Sequence, residues 1–224
     1  MTQRSTGMLF AEELIPALLS GKKAVTRRPV STITLARLRE LADTGEFPHL
    51  DAFEKFPEAY QAMFRPFCPF GQPGDLIYGR ETFTPDPPAD HDAWDDPESP
   101  HTFYTWSRCG AKVKELPEAL QRREYMLYRA SWDNDKHPLK WKPSLHMPKW
   151  AARVWLEITE VTFERLHDIT VQDALAEGID HKTMNCPRHE FFQLWNGLYG
   201  DGYAEENPLV WRLAFKLVEA PDAP

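Results

Sequence analysis

Four cations and one hydroxyl lie within eight residues near the start of the chain, in the segment GKKAVTRR that ends at Arg28. Within it, Lys23 precedes Thr26 by three residues. A threonine hydroxyl becomes a useful nucleophile only when a base removes its proton, and a lysine amine is such a base once its pKa falls toward neutrality. The like charges of Lys22, Arg27 and Arg28 disfavour protonation of that amine. The segment therefore predicts a base and a nucleophile suited to attack on a carbonyl carbon.

The local backbone decides whether Lys23 and Thr26 meet. A spacing of three places two side chains on opposite faces of a flat strand, whereas a turn that leads into the strand brings them together. The structural alternative is a solvated basic loop beside a threonine that has no chemical role.

Glu177 is a third candidate, far along the chain. It lies in the last turn of a predicted helix, just before Gly178. The helix dipole disfavours a carboxylate at this end and favours its protonated form, which is the form that a general acid needs. A residue that breaks a local rule can serve a site. The structural alternative is an ordinary exposed glutamate.

The two arginines of the segment are candidates for binding. A guanidinium group suits a phosphate or the edge of a base. Alternation along a strand points one of Arg27 and Arg28 inward, and we predict Arg28 in the pocket. Arg80 and Glu81 follow an apolar strand core and are candidates for the pocket mouth, although Glu81 could instead pair with Arg28.

A loop stiffened by two prolines, WKPSLHMP, carries further polar groups. Lys142, Ser144 and His146 are candidates for a pocket wall or a phosphate site. The alternative is a rigid crossover in which Trp141 and Met147 fill the core.

No metal or cofactor is predicted. The segment HKTMNCPRHE offers His181, Cys186 and His189 but lacks a repeated Cys-x-x-Cys pattern. The chain has neither a phosphate-binding loop of the P-loop type nor a Gly-x-Ser-x-Gly elbow.

Composition limits the classes of function. The net charge is −8, which argues against nonspecific coating of long duplexes, because that binding depends on basic protein surface. Any contact with nucleic acid is therefore expected in one local pocket. Three widely spaced cysteines suggest no disulfide framework. The first residues lack an apolar run typical of a signal peptide or a membrane span, so we predict a cytoplasmic protein that does not enter membranes.

Strands separated by turns, with few helices, favour an α+β fold. We predict a small mixed β-barrel with flanking helices and long loop insertions, which forms one domain over 1–224. An acidic, proline-rich loop is predicted at 85–101. Helices are predicted from near Glu13 to Gly21 and in LARLRELA, DITVQDALAEGI and RHEFFQLWNGLYG. Strands are predicted in VTRRPV, at 76–83, and in HTFYTWS, EYMLYRA, ARVWLEITEVTFERL and LVWRLAFKLV.

These segments, in this order, resemble the ASCH domain of the PUA-like superfamily, and above all the larger ASCH proteins of phages and prophages. The likeness is carried by GKKAVTRRP, GQPGDLIYGRETF, WKPSLHMPKWAARV and ERLHDITVQDALAEGI. It implies a PUA-like barrel with a pocket for RNA or a nucleoside. Some bacterial members are N4-acetylcytidine amidohydrolases. Their proton acceptor, nucleophile and proton donor fall on Lys23, Thr26 and Glu177.

Three hypotheses follow. The first is an amidohydrolase that acts on N4-acylated cytidine or cytosine, free or in nucleic acid. The second is a module that binds RNA, single-stranded nucleic acid or a modified base without turnover. The third is a ribonuclease that uses Lys23 and Arg28. The acyl group and the oligomeric state are left open by the sequence.

Overall fold

A computed structural model of the chain describes residues 3–86, 116, 118–133, 139–179 and 186–221. The strands in these residues are β1 Ser5–Leu9, β2 Val25–Pro29, β3 Leu76–Arg80, β4 Phe83–Pro85, β5 Met126–Tyr128, β6 Val154–Arg165 and β7 Leu209–Val218. The α-helices are α1 Ile15–Leu19, α2 Thr32–Asp43, α3 Glu58–Phe64, α4 Val171–Ala176 and α5 Pro187–Tyr199. Short 3-10 turns connect several of these elements. None of the described helices is both long and apolar enough to cross a bilayer.

The chain forms two compact units, each assembled from segments that are far apart in sequence. The first unit contains Met1–Thr6, Ser20–Ile77 and Leu156–Leu217, and the second contains Gly7–Leu19, Tyr78–Trp155 and Val218–Pro224. The single domain over 1–224 stays a prediction.

The described strands confirm a mixed α+β fold but do not form a barrel. Five strands form a sheet in the order β1-β3-β6-β7-β2, and β4 pairs with β5 in a second sheet. A barrel closes only when its two edge strands pair. Over the described residues, β1 and β2 stand at opposite edges of the larger sheet without pairing, so the predicted closure is not observed.

Strand β2 is positioned by antiparallel pairing with β7. The register sets Thr26 opposite Leu213, Arg27 opposite Arg212 and Arg28 opposite Trp211. Because side chains alternate along a strand, Arg27 lies on one face of β2 while Thr26 lies on the other. The prediction of a strand in VTRRPV is confirmed.

An aromatic core lies on the β6 strand of the first unit. The Phe163 ring stacks on Phe64 of α3 at 4.5 Å and meets the edges of Phe56 and Trp211 at 4.9 and 5.0 Å. Gln61 of α3 fixes the same strand, because its amide donates to the Phe163 carbonyl at 3.0 Å and accepts from the Phe163 N–H at 2.8 Å. Helix α3 thereby satisfies both main-chain hydrogen-bonding groups of Phe163 in β6.

Helix α4 lies within DITVQDALAEGI, where the sequence predicts a helix, and both of its ends are capped. The Thr170 hydroxyl accepts a hydrogen bond from the Asp173 N–H at 3.0 Å, which caps the amino end. The carboxyl end turns at Gly178, whose φ of +90° is readily adopted only by glycine. Glu177 is therefore held at the carboxyl-terminal cap of this helix.

Several local predictions need correction. The strand predicted at 76–83 stops at Arg80 and pairing resumes at Phe83, because the chain leaves the sheet at Glu81. The strand in EYMLYRA shrinks to three residues between 3-10 turns. The strand HTFYTWS and residues 87–101 of the predicted acidic loop lie outside the described residues.

Candidate active site

A buried ion pair joins two of the three predicted catalytic residues. The Lys23 amine lies 2.7 Å from Oε2 of Glu177 and also donates to the Glu177 carbonyl oxygen at 2.6 Å. The two residues are 2% and 4% exposed, which excludes the ordinary surface glutamate as an interpretation of Glu177. A cation at the carboxyl end of a helix also complements the helix dipole.

Main-chain hydrogen bonds bring this pair together across 154 residues of sequence. The Ala24 N–H donates to the Ala176 carbonyl at the end of α4, at 2.8 Å. The Ala24 carbonyl accepts from the Phe215 N–H of β7 at 2.9 Å. Lys23 precedes Ala24 and Glu177 follows Ala176, so this main-chain hydrogen bond brings the two side chains together.

The environment of the Lys23 amine lowers its pKa. Burial is the largest cause, because removal from water disfavours the charged form. The Glu177 carboxylate acts in the opposite direction, and the charges of Arg28 and Arg27 lower the pKa further. The sequence predicted the direction from the crowding of cations, whereas desolvation is the larger effect. Lys22 is exposed at the surface.

Arg27 is the other buried cation of the site, with 3% of its surface exposed. Each of its three guanidinium nitrogens donates to a different carboxylate. Nε meets Glu164 at 2.8 Å, Nη2 meets Asp173 at 3.0 Å and Nη1 meets Glu177 at 3.3 Å. The sequence predicted Arg28 as the inward arginine of the pair, but Arg27 is the one in contact with Glu177.

Carboxylates extend the network to β6 and β7. Arg212 donates to Asp173 at 3.1 Å and to Glu160 at 2.8 Å. Burial works to raise the pKa of Asp173, but Arg27 and Arg212 outweigh it and the pKa is lowered. Burial raises the pKa of Glu164 despite the neighbouring Arg27.

Thr26 lies in β2 and is 4% exposed. Within the part of the chain that the structure describes, its hydroxyl has no hydrogen-bonding partner. Alternation along β2 places it on the face opposite Arg27 and on the same face as Arg28. Its role as the nucleophile stays a prediction.

Arg28 is half-buried and reaches α5. Its Nη1 donates to the Tyr199 hydroxyl at 3.4 Å. This contact places the guanidinium beside an aromatic residue of the first unit and does not involve Glu177. Its role in substrate binding stays a prediction.

The other predicted binding residues belong to the second unit. Arg80 donates to the Tyr78 hydroxyl at 2.9 Å. Glu81 is 1% exposed and pairs with Arg153 through two contacts of 2.8 Å, where the sequence suggested Arg28 as one possible partner. Arg153 also lies 4.2 Å over the Tyr128 ring, so Glu81 is part of the packing of this unit.

The proline-rich loop is tied to β4 through main-chain bonds between Lys142 and Phe83, at 2.8 and 3.2 Å. Ser144 and His146 form a 3-10 turn, in which His146 is exposed, and Met147 after it is buried. The buried Met147 fits the crossover interpretation of this loop. A part for Lys142, Ser144 and His146 in a pocket wall stays a prediction.

The sequence interpretation missed Asp173, Glu164 and Arg212 as members of the site. The register of β2 with β7, which the sequence does not give, places Arg27 and Arg212 opposite each other. Two like charges in that position are destabilising unless a carboxylate lies between them.

Among the residues that the structure describes, no group of three or more His, Cys, Asp or Glu side chains is arranged to hold a metal ion. His181 lies outside these residues. Comparisons of the chain with models of protein families, with curated proteins and with solved structures give no match.

Proposed function

We propose that the chain is an amidohydrolase that removes the acyl group from N4-acylated cytidine or cytosine, on an ASCH-type fold of the PUA-like superfamily. The observation that carries the proposal is the buried hydrogen bond between the Lys23 amine and the Glu177 carboxylate. Hydrolysis of an amide needs a base to activate the attacking group and an acid to protonate the departing nitrogen. An amine and a carboxyl group that share one proton supply both.

The reactive form of this pair differs from the ion pair by the position of one proton. A proton that moves across the 2.7 Å contact from Lys23 to Glu177 leaves a neutral amine and a carboxylic acid. Burial disfavours the charged form of the Lys23 amine and lowers its pKa, which favours the movement of the proton away from it.

In the first half of the reaction, the Thr26 oxygen forms a bond to the acyl carbon and its proton passes to the Lys23 amine. The carbon–nitrogen bond breaks as the Glu177 acid gives its proton to the exocyclic nitrogen. The product is cytidine or cytosine, and the acyl group remains as an ester on Thr26. Lys23 and Glu177 are then an ion pair.

In the second half, water attacks the ester carbon and its proton passes to the Glu177 carboxylate. The ester bond to Thr26 breaks, and the Lys23 ammonium returns a proton to the threonine oxygen. The carboxylic acid product leaves, and the neutral amine and acid are restored.

Charge balance favours this reaction over binding or cleavage of RNA. The network contains three cations, Lys23, Arg27 and Arg212, and four carboxylates, Glu160, Glu164, Asp173 and Glu177. Affinity for a phosphate backbone depends on uncompensated positive charge. Cations that are already paired with carboxylates suit a neutral amide better than a polyanion.

The test is incubation of the purified protein with N4-acetylcytidine, with release of cytidine followed by chromatography. A short RNA that carries the same modified base, and an unmodified RNA, are incubated in parallel. We expect cytidine release, and a loss of about 10²–10⁴-fold in Glu177→Gln because the acid is removed. Glu160→Gln, at the exposed end of the network, is the control and should keep the wild-type rate.

Three outcomes contradict parts of the proposal. Tight binding of the modified base without turnover favours the binding module, and cleavage of the unmodified RNA favours the ribonuclease. Thr26→Val and Thr26→Ser separate a threonine nucleophile from direct attack by water. With a threonine nucleophile, the valine variant is inactive and the serine variant retains activity, whereas an active valine variant removes Thr26 from the mechanism.

A further inference from the structure

The two oxygens of the Glu177 carboxylate have different partners. Oε2 meets the Lys23 amine at 2.7 Å, and Oε1 meets Nη1 of Arg27 at 3.3 Å. The last torsion of a glutamate side chain is broad when the carboxylate has no fixed partners. The contacts with Lys23 and Arg27 therefore fix the plane of the carboxylate, with one oxygen toward each cation.

Arg27 is itself held so that this contact has one direction. Its Nε is anchored on Glu164 of β6 and its Nη2 on Asp173 of α4, and the side chain is fully buried. Asp173 is held in turn by Arg212 of β7. A planar guanidinium with two of its nitrogens fixed leaves the third only one orientation.

From these contacts we propose that Arg27 is a positioning residue for the proposed reaction: it holds the plane of the Glu177 carboxylate so that one oxygen stays toward Lys23, and it does not bind substrate. This proposal rests on the proposed function only for its effect on turnover. The sequence had suggested Arg27 as a substrate ligand. All three of its nitrogens are instead committed to carboxylates, so its hydrogen bonds are directed into the protein.

The charge of Arg27 adds a second effect at the same place. Burial is the main cause of the lowered pKa of Lys23, and the positive charges of Arg28 and Arg27 lower that pKa further. The groups that face the amine are Glu177 at the cap of α4 and these two arginines of β2. A neutral residue at position 27 removes one like charge and leaves Glu177 to Lys23 alone, so both changes favour the ammonium form.

The test compares Arg27→Gln with Arg65→Gln, a control at a partly buried arginine of the same unit whose Nε donates to the Val161 carbonyl at 3.0 Å, outside the network. Titration of the Lys23 amine is followed by NMR on protein with isotope-labelled lysine, which needs no turnover. We expect its midpoint to move to higher pH in Arg27→Gln and to stay unchanged in Arg65→Gln. In the activity assay, kcat should fall about tenfold or more in Arg27→Gln with KM unchanged, because the acid and base are misplaced.

A second measurement keeps the proposal testable if Arg27→Gln does not fold. In Glu177→Gln, we expect the Nη1 protons of Arg27 to exchange faster with water while the Nε proton stays protected by Glu164. If the Nη1 and Nε protons of Arg27 each exchange at the same rate in Glu177→Gln as in the wild type, the positioning contact is refuted. An unchanged Lys23 midpoint in Arg27→Gln, or equal losses of kcat in the two arginine variants, also refutes it. If no substrate is turned over but the Nη1 protons of Arg27 exchange faster in Glu177→Gln and the Lys23 midpoint moves as expected, the positioning stands and the proposed reaction fails.

Discussion

The buried pair of Lys23 and Glu177 predicts opposite effects on stability for its two partners. Glu177→Gln removes the anion and keeps its shape, so a lysine that is 2% exposed loses its counter-charge. Removal of one partner from a buried ion pair costs about 3–5 kcal/mol in free energy of unfolding, because the other charge stays buried without compensation. Lys23→Met instead removes the group whose desolvation is unfavourable.

The lowered pKa of Lys23 gives the sign for the second variant. The folded state binds this proton less tightly than the unfolded state, for which the reference value is 10.5. Below the folded pKa, the protonated amine therefore weakens the folded state even with Glu177 beside it. We expect Lys23→Met to leave stability within about 1 kcal/mol of the wild type or to increase it, while Arg27 continues to compensate Glu177.

The penalty in Glu177→Gln depends on pH. Without the Glu177 carboxylate, the pKa of Lys23 in the folded state is lower still. Once the amine loses its proton, no uncompensated charge remains buried. The difference in stability between variant and wild type therefore starts to shrink above the variant's lower pKa and has disappeared above the wild-type pKa of Lys23. Urea unfolding followed by tryptophan fluorescence, at several pH values from neutral up to the reference value of 10.5, measures it.

Glu160→Gln is the control for this series. Its side chain is 50% exposed and its partner Arg212 keeps Asp173, so the change should cost no more than about 1 kcal/mol. Equal losses of stability in Lys23→Met and Glu177→Gln would refute the reasoning. So would a penalty in Glu177→Gln that does not change with pH.

Three further predictions concern the rest of the described chain. Asp173→Asn should be less stable than the wild type at neutral pH, because Asp173 stabilises the fold while it is ionised. Its pKa is lowered in the folded state, so the difference should disappear as pH falls below the reference value of 3.8, and thermal unfolding across that range measures it. Burial raises the pKa of Cys68 to about 11, so a thiol reagent at pH 8 should label exposed Cys186 well before it, as peptide mass spectrometry would show. Gln61→Leu should lower the free energy of unfolding by about 2–3 kcal/mol, since both main-chain groups of Phe163 lose their partner, and urea unfolding checks this.

Local patterns were sufficient to predict the elements that carry the site. The strand β2, the helix α4 and its cap by Thr170 follow from signals within a few residues of sequence. Such signals are read reliably because alternation, capping and the conformational freedom of glycine act locally. The pattern also placed Glu177 at the end of its helix, where the structure has it.

The contacts between elements could not be predicted in the same way. Lys23 and Glu177 meet because Ala24 and Ala176 share a hydrogen bond, and nearly every residue carries the same main-chain groups, so the sequence holds no signal for it. Which of Arg27 and Arg28 points toward Glu177 depends on the face of β2 that each residue takes, and the register of β2 with β7 sets that face. Closure of the sheet depended on which strands form its edges, a property of the whole topology.

The bond from Ala24 to Ala176 has a consequence for how this chain can diverge. Its donor and acceptor are atoms of the main chain, so many side chains are compatible with the geometry at both positions. Proline at position 24 is the exception, since it has no N–H to donate. A lineage could therefore exchange residues around Lys23 and Glu177 while the two remain face to face, and sequence similarity near the site would fade sooner than its arrangement.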